Sequence, residues 1–207
     1  GRMSEAFICK LCPRQCSVLR TESKKGGYCG CTSIPFVAAA SLHLWEEPCI
    51  SGRSGSGTVF FSSCNLRCVY CQNIDFSRNE TGTVCTPEKL ADIFLSLQEK
   101  GAHNINLVTP THYGPHIIGG IKKAKENGLT IPVVYNTSGY EKAETITLLK
   151  DTVDIFLTDF KYIKPETAKK YSNAENYVHF AKEALNEMVK IAPSPTFKEG
   201  VMTKGVI

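Results

Sequence analysis

From Thr58 onward, short apolar runs alternate with stretches in which apolar residues recur every three or four positions. Four runs have strand length: Thr58 to Phe61, Ile105 to Thr109, Ile131 to Tyr135 and Val153 to Leu157. Between them the helical period predicts helices. Thr86 is placed as the N-cap of the first, with Pro87 at its first position, an apolar stripe of Leu90, Ile93, Phe94 and Leu97, and Gly101 as its end. A second helix starts at Pro115, carries Ile117, Ile118, Ile121 and Ala124, and closes at Gly128. Ala143, Ile146 and Leu149 mark a third. A short helix near Pro165 follows, then a longer one with Tyr177, Ala181, Ala184, Met188 and Ile191 on one face. Strands alternating with helices predict an α/β fold with a parallel sheet, either open or barrel-like.

Before Thr58 this rhythm is absent. Residues 1–57 are cysteine-rich and irregular, and Ser51 to Gly57 reads as a flexible linker. The expected division is therefore a cysteine-rich segment and linker over 1–57 and a partial barrel over 58–207. The linker has phosphate-loop glycine spacing, Gly52 and Gly57, but it has no lysine and precedes a strand, so that reading fails. At the far end, Gly205-Val206-Ile207 reads as the first residues of a further strand, and the C-terminal part of the barrel is expected to be missing. At the start, Gly1-Arg2 ahead of Met3 reads as a vector-derived extension.

Bulk properties narrow the partners. With 24 basic and 20 acidic residues the net charge is +4, and the basic residues are scattered rather than interleaved with aromatics, so nucleic-acid binding is not expected. With neither a secretory signal nor an apolar run of membrane length, the expectation is a cytoplasmic protein that does not enter membranes. In that setting ten cysteines point to metal or chemistry rather than disulfides.

Three of those cysteines stand out. Cys64, Cys68 and Cys71 follow the first strand at C-x3-C-x2-C spacing. Three thiolates on one loop can hold three irons of a cubane cluster and leave the fourth open, where chemistry can occur. The other strand ends are polar as well: Thr109-Pro110-Thr111-His112-Tyr113, Asn136-Thr137-Ser138-Gly139-Tyr140 and Thr158-Asp159-Phe160-Lys161-Tyr162. In a parallel barrel these loops would meet on one face around the cysteines. His112 there reads either as a substrate-facing acid or base or as a packing or capping histidine.

The cysteine loop, with aromatic Tyr70 before the last cysteine, resembles the signature of the radical S-adenosylmethionine superfamily. Further residues resemble the glycyl-radical-enzyme activating branch, close to pyruvate formate-lyase activating enzyme and within it the relatives with a cysteine-rich N-terminal segment. These are Cys9-Lys10-Leu11-Cys12-Pro13-Arg14 with Cys16, Trp45-Glu46-Glu47-Pro48, Gln72-Asn73, Asn136 to Tyr140 and Asp159-Phe160-Lys161. The resemblance implies a 4Fe–4S cluster on Cys64, Cys68 and Cys71, with S-adenosylmethionine chelating the open iron through its amino and carboxylate groups. It implies adenine contacts from the backbone around Tyr70, a carboxylate contact from Lys161 beside Asp159, and ribose or sulfonium contacts from Asn136 and Ser138. Where many relatives carry Gly-Gly-Glu, this chain has Thr109-Pro110-Thr111, so either backbone carbonyls or the hydroxyls of Thr109 and Thr111 are expected to accept the hydrogen bonds of the missing carboxylate. The implied activity is reductive cleavage of S-adenosylmethionine to a 5′-deoxyadenosyl radical that abstracts hydrogen. The implied electron donor is of flavodoxin or ferredoxin type, and a protein or peptide substrate, such as a glycine on a partner enzyme, fits the branch.

A second constellation lies upstream. Cys9, Cys12, Cys16 and Cys29, with Cys31 close behind, suit tetrahedral zinc or a second iron–sulfur cluster. Cys49 and Cys85 read as ordinary thiols. The rival to a radical enzyme is a non-catalytic iron–sulfur or zinc protein that transfers electrons or scaffolds a complex.

Overall fold

Strand-forming runs and amphipathic helices alternate through a computed structural model that describes residues 6–207. In chain order the elements are β1 (Phe7–Ile8), β2 (Leu19–Arg20), β3 (Phe36–His43), α1 (Pro48–Ser51), β4 (Ser56–Phe61), α2 (Ile74–Ser77), β5 (Thr83–Val84), α3 (Pro87–Glu99) and β6 (Ile105–Val108). A 3-10 turn (Thr111–Tyr113) then leads into α4 (Gly114–Glu126), β7 (Val133–Thr137), α5 (Ala143–Thr147), β8 (Ile155–Thr158), α6 (Pro165–Ser172), α7 (Tyr177–Ile191), β9 (Thr196–Lys198) and β10 (Val201–Val206).

The main sheet has the order β5-β3-β4-β6-β7-β8-β10-β9. Its centre is parallel: β4 pairs with β6, β6 with β7, β7 with β8 and β8 with β10. Successive parallel strands lying side by side give the order of a partial barrel, and they bring the C-terminal strand ends to one edge. The α/β class with a mostly parallel sheet is thus as the alternation predicts.

The N-terminal flank of the sheet differs from expectation, and the C-terminal flank adds a hairpin to the expected strand at Gly205 and Val206. β3 joins β4 antiparallel, from Val37 opposite Phe61 to His43 opposite Ser56, so the sheet draws on residues from both sides of position 57. The stretch expected to be a flexible linker is ordered. Pro48 starts α1, Gly55 N–H bonds the Ser51 carbonyl at 2.8 Å, and β4 already begins at Ser56. At the other flank, Gly205 and Val206 pair in parallel with Ile155 and Phe156, while β9 and β10 form a hairpin.

The helices form for the predicted reasons. The Thr86 hydroxyl accepts the Lys89 N–H, and Leu90, Phe94 and Leu97 of α3 are buried. Ile117, Ile121 and Ala124 of α4 are buried too, and both helices pack in one core with Val59, Phe61, Ile105 and Leu107 of the sheet. α7 buries Tyr177, Ala181, Ala184 and Met188. No helix among the described residues is long and apolar enough to cross a membrane.

Candidate functional site

The C-terminal ends of β4, β6, β7 and β8 open into one cleft of about 890 Å³. Cys64, Cys68, Cys71, Tyr70, Thr109, Asn136, Ser138, Asp159 and Lys161 all line it. That gathers every residue expected in the cofactor site except Thr111.

The cysteine loop is held in an unusual backbone path. Ser63 (φ 71°) and Arg67 (φ 56°) adopt left-handed conformations that cost non-glycine residues energy, a feature that concentrates at functional loops. The loop is pinned from several sides. The Asn65 amide donates to the Tyr140 carbonyl at 2.7 Å, and Val69 N–H reaches the Tyr171 carbonyl at 2.9 Å. Arg78 Nη2 donates to the carbonyls of Arg67 and Cys68, at 2.8 and 3.0 Å. Leu66 N–H points at Cys64 Sγ, 3.3 Å away. Burial pushes the Cys64 thiol up to about 11, so a positive metal centre is what favours its thiolate. Tyr70 is half exposed and meets Tyr162 and Tyr171 edge-on.

In the same cleft as the cysteines, Lys161 Nζ lies 2.7 Å from Asp159 Oδ2. Burial works against the ammonium, but the bond and charge of Asp159 outweigh it and hold Lys161 above its ordinary value, so it stays cationic. The loop that carries this pair is packed against Gly139, which sits at φ 76°. A Cβ there would come within 2.7 Å of the Asp159 carbonyl oxygen and 3.2 Å of the Tyr177 hydroxyl, so the close approach of the two loops requires glycine.

Two other carboxylates line the cleft, Glu46 and Glu47, and sequence reasoning assigned them no role. Glu46 is placed by Asn106, whose amide donates to Glu46 Oε2 at 2.6 Å, and burial raises its carboxyl above the usual range. The signal was present in Trp45-Glu46-Glu47-Pro48, but only the antiparallel pairing of β3 brings these residues to the cleft.

Thr111 is a correction. Thr109 turns left-handed at φ 58°, the chain enters a 3-10 turn, and Thr111 is buried with its hydroxyl donated to Glu141 Oε1 at 2.5 Å. Thr137 donates to the same oxygen at 2.5 Å and Tyr135 lies 3.4 Å from it. Glu141 is wholly buried, and burial pushes its carboxyl up to about 7 against the pull of the two threonine hydroxyls. His112 likewise lies outside the cleft. It is 1% exposed with Nε2 2.8 Å from the Ser62 carbonyl, which fits the packing reading rather than a substrate-facing one.

Cys9, Cys12, Cys16 and Cys29 are not part of the cleft. They line a separate small pocket with Arg14 and His112. Cys31 is buried beside it, and all ten cysteines are free thiols. Among the described residues no three His, Cys, Asp or Glu side chains are gathered as a single-ion cage.

Residues 58–205 match the radical SAM superfamily. The chain belongs to the radical SAM superfamily. Members of that superfamily use a 4Fe–4S cluster and S-adenosylmethionine as cofactors. The three cysteines fit this donor set: three soft ligands on one loop, on the wall of a cleft large enough for a ligand besides the cluster. A curated relative, the uncharacterized protein MJ0674 of Methanocaldococcus jannaschii, is 32% identical over 182 residues. The match takes in 84% of this chain and 51% of the relative, so the chain spans about half of that protein's length.

Proposed function

We propose that this radical SAM chain cleaves S-adenosylmethionine in the cleft at the ends of β4, β6, β7 and β8, with Cys64, Cys68 and Cys71 as the cluster ligands. The observation that carries this is that the three thiols and the Asp159–Lys161 pair line one cleft. When bound, the cluster and S-adenosylmethionine together supply one-electron cleavage of a carbon–sulfur bond and hydrogen-atom abstraction. The chain's own residues do the rest. Lys161 offers a compact cation to a ligand carboxylate. Asn136 and Ser138 offer polar groups at the end of β7, and Tyr70 an aromatic face. Glu46 and Glu47 supply the negative charge that Thr109-Pro110-Thr111 lacks, which suits a ligand ammonium.

The finer reading is an activase of the pyruvate formate-lyase type, acting on a glycine of a partner protein, with an electron donor of flavodoxin or ferredoxin type in the cytoplasm. It is supported by the branch-like residues Asn136 to Tyr140 and Asp159 to Lys161, of which Asn136, Thr137, Ser138, Asp159 and Lys161 line the cleft.

The test is anaerobic. The full chain is reconstituted with iron and sulfide, given dithionite and S-adenosylmethionine, and assayed for 5′-deoxyadenosine beside Cys71→Ala. Product from the wild type and none from the variant is expected. An intact cluster with no product would overturn the proposal and leave an electron-transfer or scaffold role.

A further inference from the structure

We propose that Cys9, Cys12, Cys16 and Cys29 bind a second iron–sulfur cluster, of the four-iron class, with the buried Arg20 as its counter-charge. This stands independently of whether S-adenosylmethionine is cleaved in the cleft.

The first support is convergence. The four thiols come from two separate turns, yet they line one pocket. The β1–β2 hairpin sets the first turn: Cys9 N–H bonds the Val18 carbonyl at 2.9 Å and Ser17 N–H bonds the Cys9 carbonyl at 3.0 Å. Between them Gln15 (φ 42°) and Ser17 (φ 52°) take left-handed conformations, which curl the Cys12-to-Cys16 loop around the pocket. The second turn closes on it through Tyr28 N–H, which points at Cys16 Sγ from 3.2 Å. Backbone N–H groups aimed at sulfur are among the means by which proteins tune clusters.

The second support is charge. Arg20 is 0% exposed. Its guanidinium donates to the carbonyls of Thr32 and His112 and approaches Cys9 Sγ at 3.6 Å, and no carboxylate pairs with it among the described residues. A buried cation without an anion is costly. Four thiolates around a cluster carry net negative charge and supply the missing partner on the side where Arg20 approaches Cys9 Sγ.

The third support is an unused ring nitrogen on the same wall. His112 lines the pocket, its Nε2 is committed to the Ser62 carbonyl, and its buried Nδ1 has no partner. With Nε2 donating its hydrogen, Nδ1 is left with a free lone pair.

The cysteine loop of the superfamily is the comparison that favours a cluster over zinc. Tetrahedral zinc at 2.3 Å from each sulfur needs sulfurs only about 3.8 Å apart. Among the described residues the upstream thiols are not gathered as a single-ion site, and the same holds for Cys64, Cys68 and Cys71, whose superfamily binds a cubane. The two cysteine loops also touch directly: Arg14 Nε donates to the Asn65 carbonyl at 3.0 Å, and Arg67 Nη1 donates to the Tyr28 carbonyl at 2.9 Å.

The test is metal content and magnetic resonance on the full chain, reconstituted anaerobically with iron and sulfide. Wild type is expected to hold about eight iron and eight sulfide per chain, and the Cys64→Ala/Cys68→Ala/Cys71→Ala variant about four of each, with the electron paramagnetic resonance signal of a reduced cluster after dithionite. About four iron in the wild type and none in the folded triple variant would overturn the proposal, as would one zinc per chain retained in place of iron. Should the triple variant fail to fold, Cys12→Ser/Cys29→Ser decides: a fall from about eight iron to about four supports the second cluster, and about four in both proteins overturns it.

Discussion

The Tyr177 hydroxyl accepts the backbone N–H of Lys161 at 2.8 Å and donates to the Ser138 carbonyl at 2.7 Å. One phenol from α7 thus ties the loop after β7 to the loop after β8, the two that carry Asn136, Ser138, Asp159 and Lys161. Burial holds the phenol well above its ordinary range, so it is a donor as well as an acceptor at every working pH. Tyr177 does not itself line the cleft and acts through the backbone of those loops as a positioning residue. Tyr177→Phe keeps the ring packing against Tyr140 and Tyr162 and removes both bonds. The expected result is an S-adenosylmethionine dissociation constant raised about 3- to 10-fold, equivalent to roughly 1 kcal/mol, with iron content unchanged. Equilibrium dialysis with the reconstituted protein reads it, and equal affinity in both proteins would show that the loops hold their place without the phenol.

The Asp159–Lys161 pair separates two roles that a surface ion pair would not. If Lys161 receives a ligand carboxylate, Lys161→Met removes a charge-assisted bond of about 1.5–3 kcal/mol and weakens S-adenosylmethionine binding by roughly ten- to a hundred-fold. Asp159→Asn leaves the ammonium in place and frees it from its present partner, so its effect should be the smaller. Isothermal titration of both variants decides the order; a larger loss from Asp159→Asn would transfer the binding role to the carboxylate.

Glu141 makes stability depend on pH. Its folded carboxyl sits near 7 and its ordinary value is 4.5, because burial favours the neutral form. The folded state therefore keeps a proton that the unfolded chain releases across that window. Stability falls as pH rises from about 4.5 through 7, by a total of about 3 kcal/mol, and is level above it. Glu141→Gln keeps an acceptor for Thr111 and Thr137 and does not titrate. Urea midpoints measured from pH 5 to 8 should show the wild type losing ground to the variant as pH rises. Parallel curves would mean that Glu141 is already ionised in the fold.

Much of this arrangement was legible in the residues. Cys64, Cys68 and Cys71 announce themselves by spacing, and polar Asn136, Ser138, Asp159 and Lys161 stand where apolar strands end, which is where a parallel sheet delivers its chemistry. What was not legible depends on contacts distant in sequence. β3 escaped notice because Ala38-Ala39-Ala40-Ser41 shows no apolar–polar alternation, and its place is set by pairing with β4. The Ser51-to-Gly57 stretch looks flexible by composition, yet it is fixed by α1 and by His103, whose backbone N–H bonds the Gly55 carbonyl at 3.0 Å. Glu141 lies beside Lys142 and reads as a surface charge. Only the turn begun at Thr109 brings Thr111 to it, and that same turn removes Thr111 from the cleft.

Arg14 joins the two cysteine loops, and its loss should be felt in both. Its guanidinium donates to the carbonyls of Asn65, Leu66, Ser172 and Asn173 and stacks 3.6 Å from the Tyr28 ring centre. Those carbonyls lie on the turn between Cys64 and Cys68 and at the end of α6, and part-buried carbonyls stripped of a donor are costly. Arg14→Leu should therefore lower stability by about 2–4 kcal/mol. Arg14→Lys should recover little of it, because one ammonium cannot match a planar fork that serves four acceptors while lying flat on an aromatic ring. Urea unfolding gives the stability change, and limited proteolysis shows where it falls. Cleavage appearing first between Cys64 and Cys71 is expected, since that loop already holds Ser63 and Arg67 in costly conformations and depends on outside bonds to keep them. Full recovery in the lysine variant would reduce the role of Arg14 to its charge.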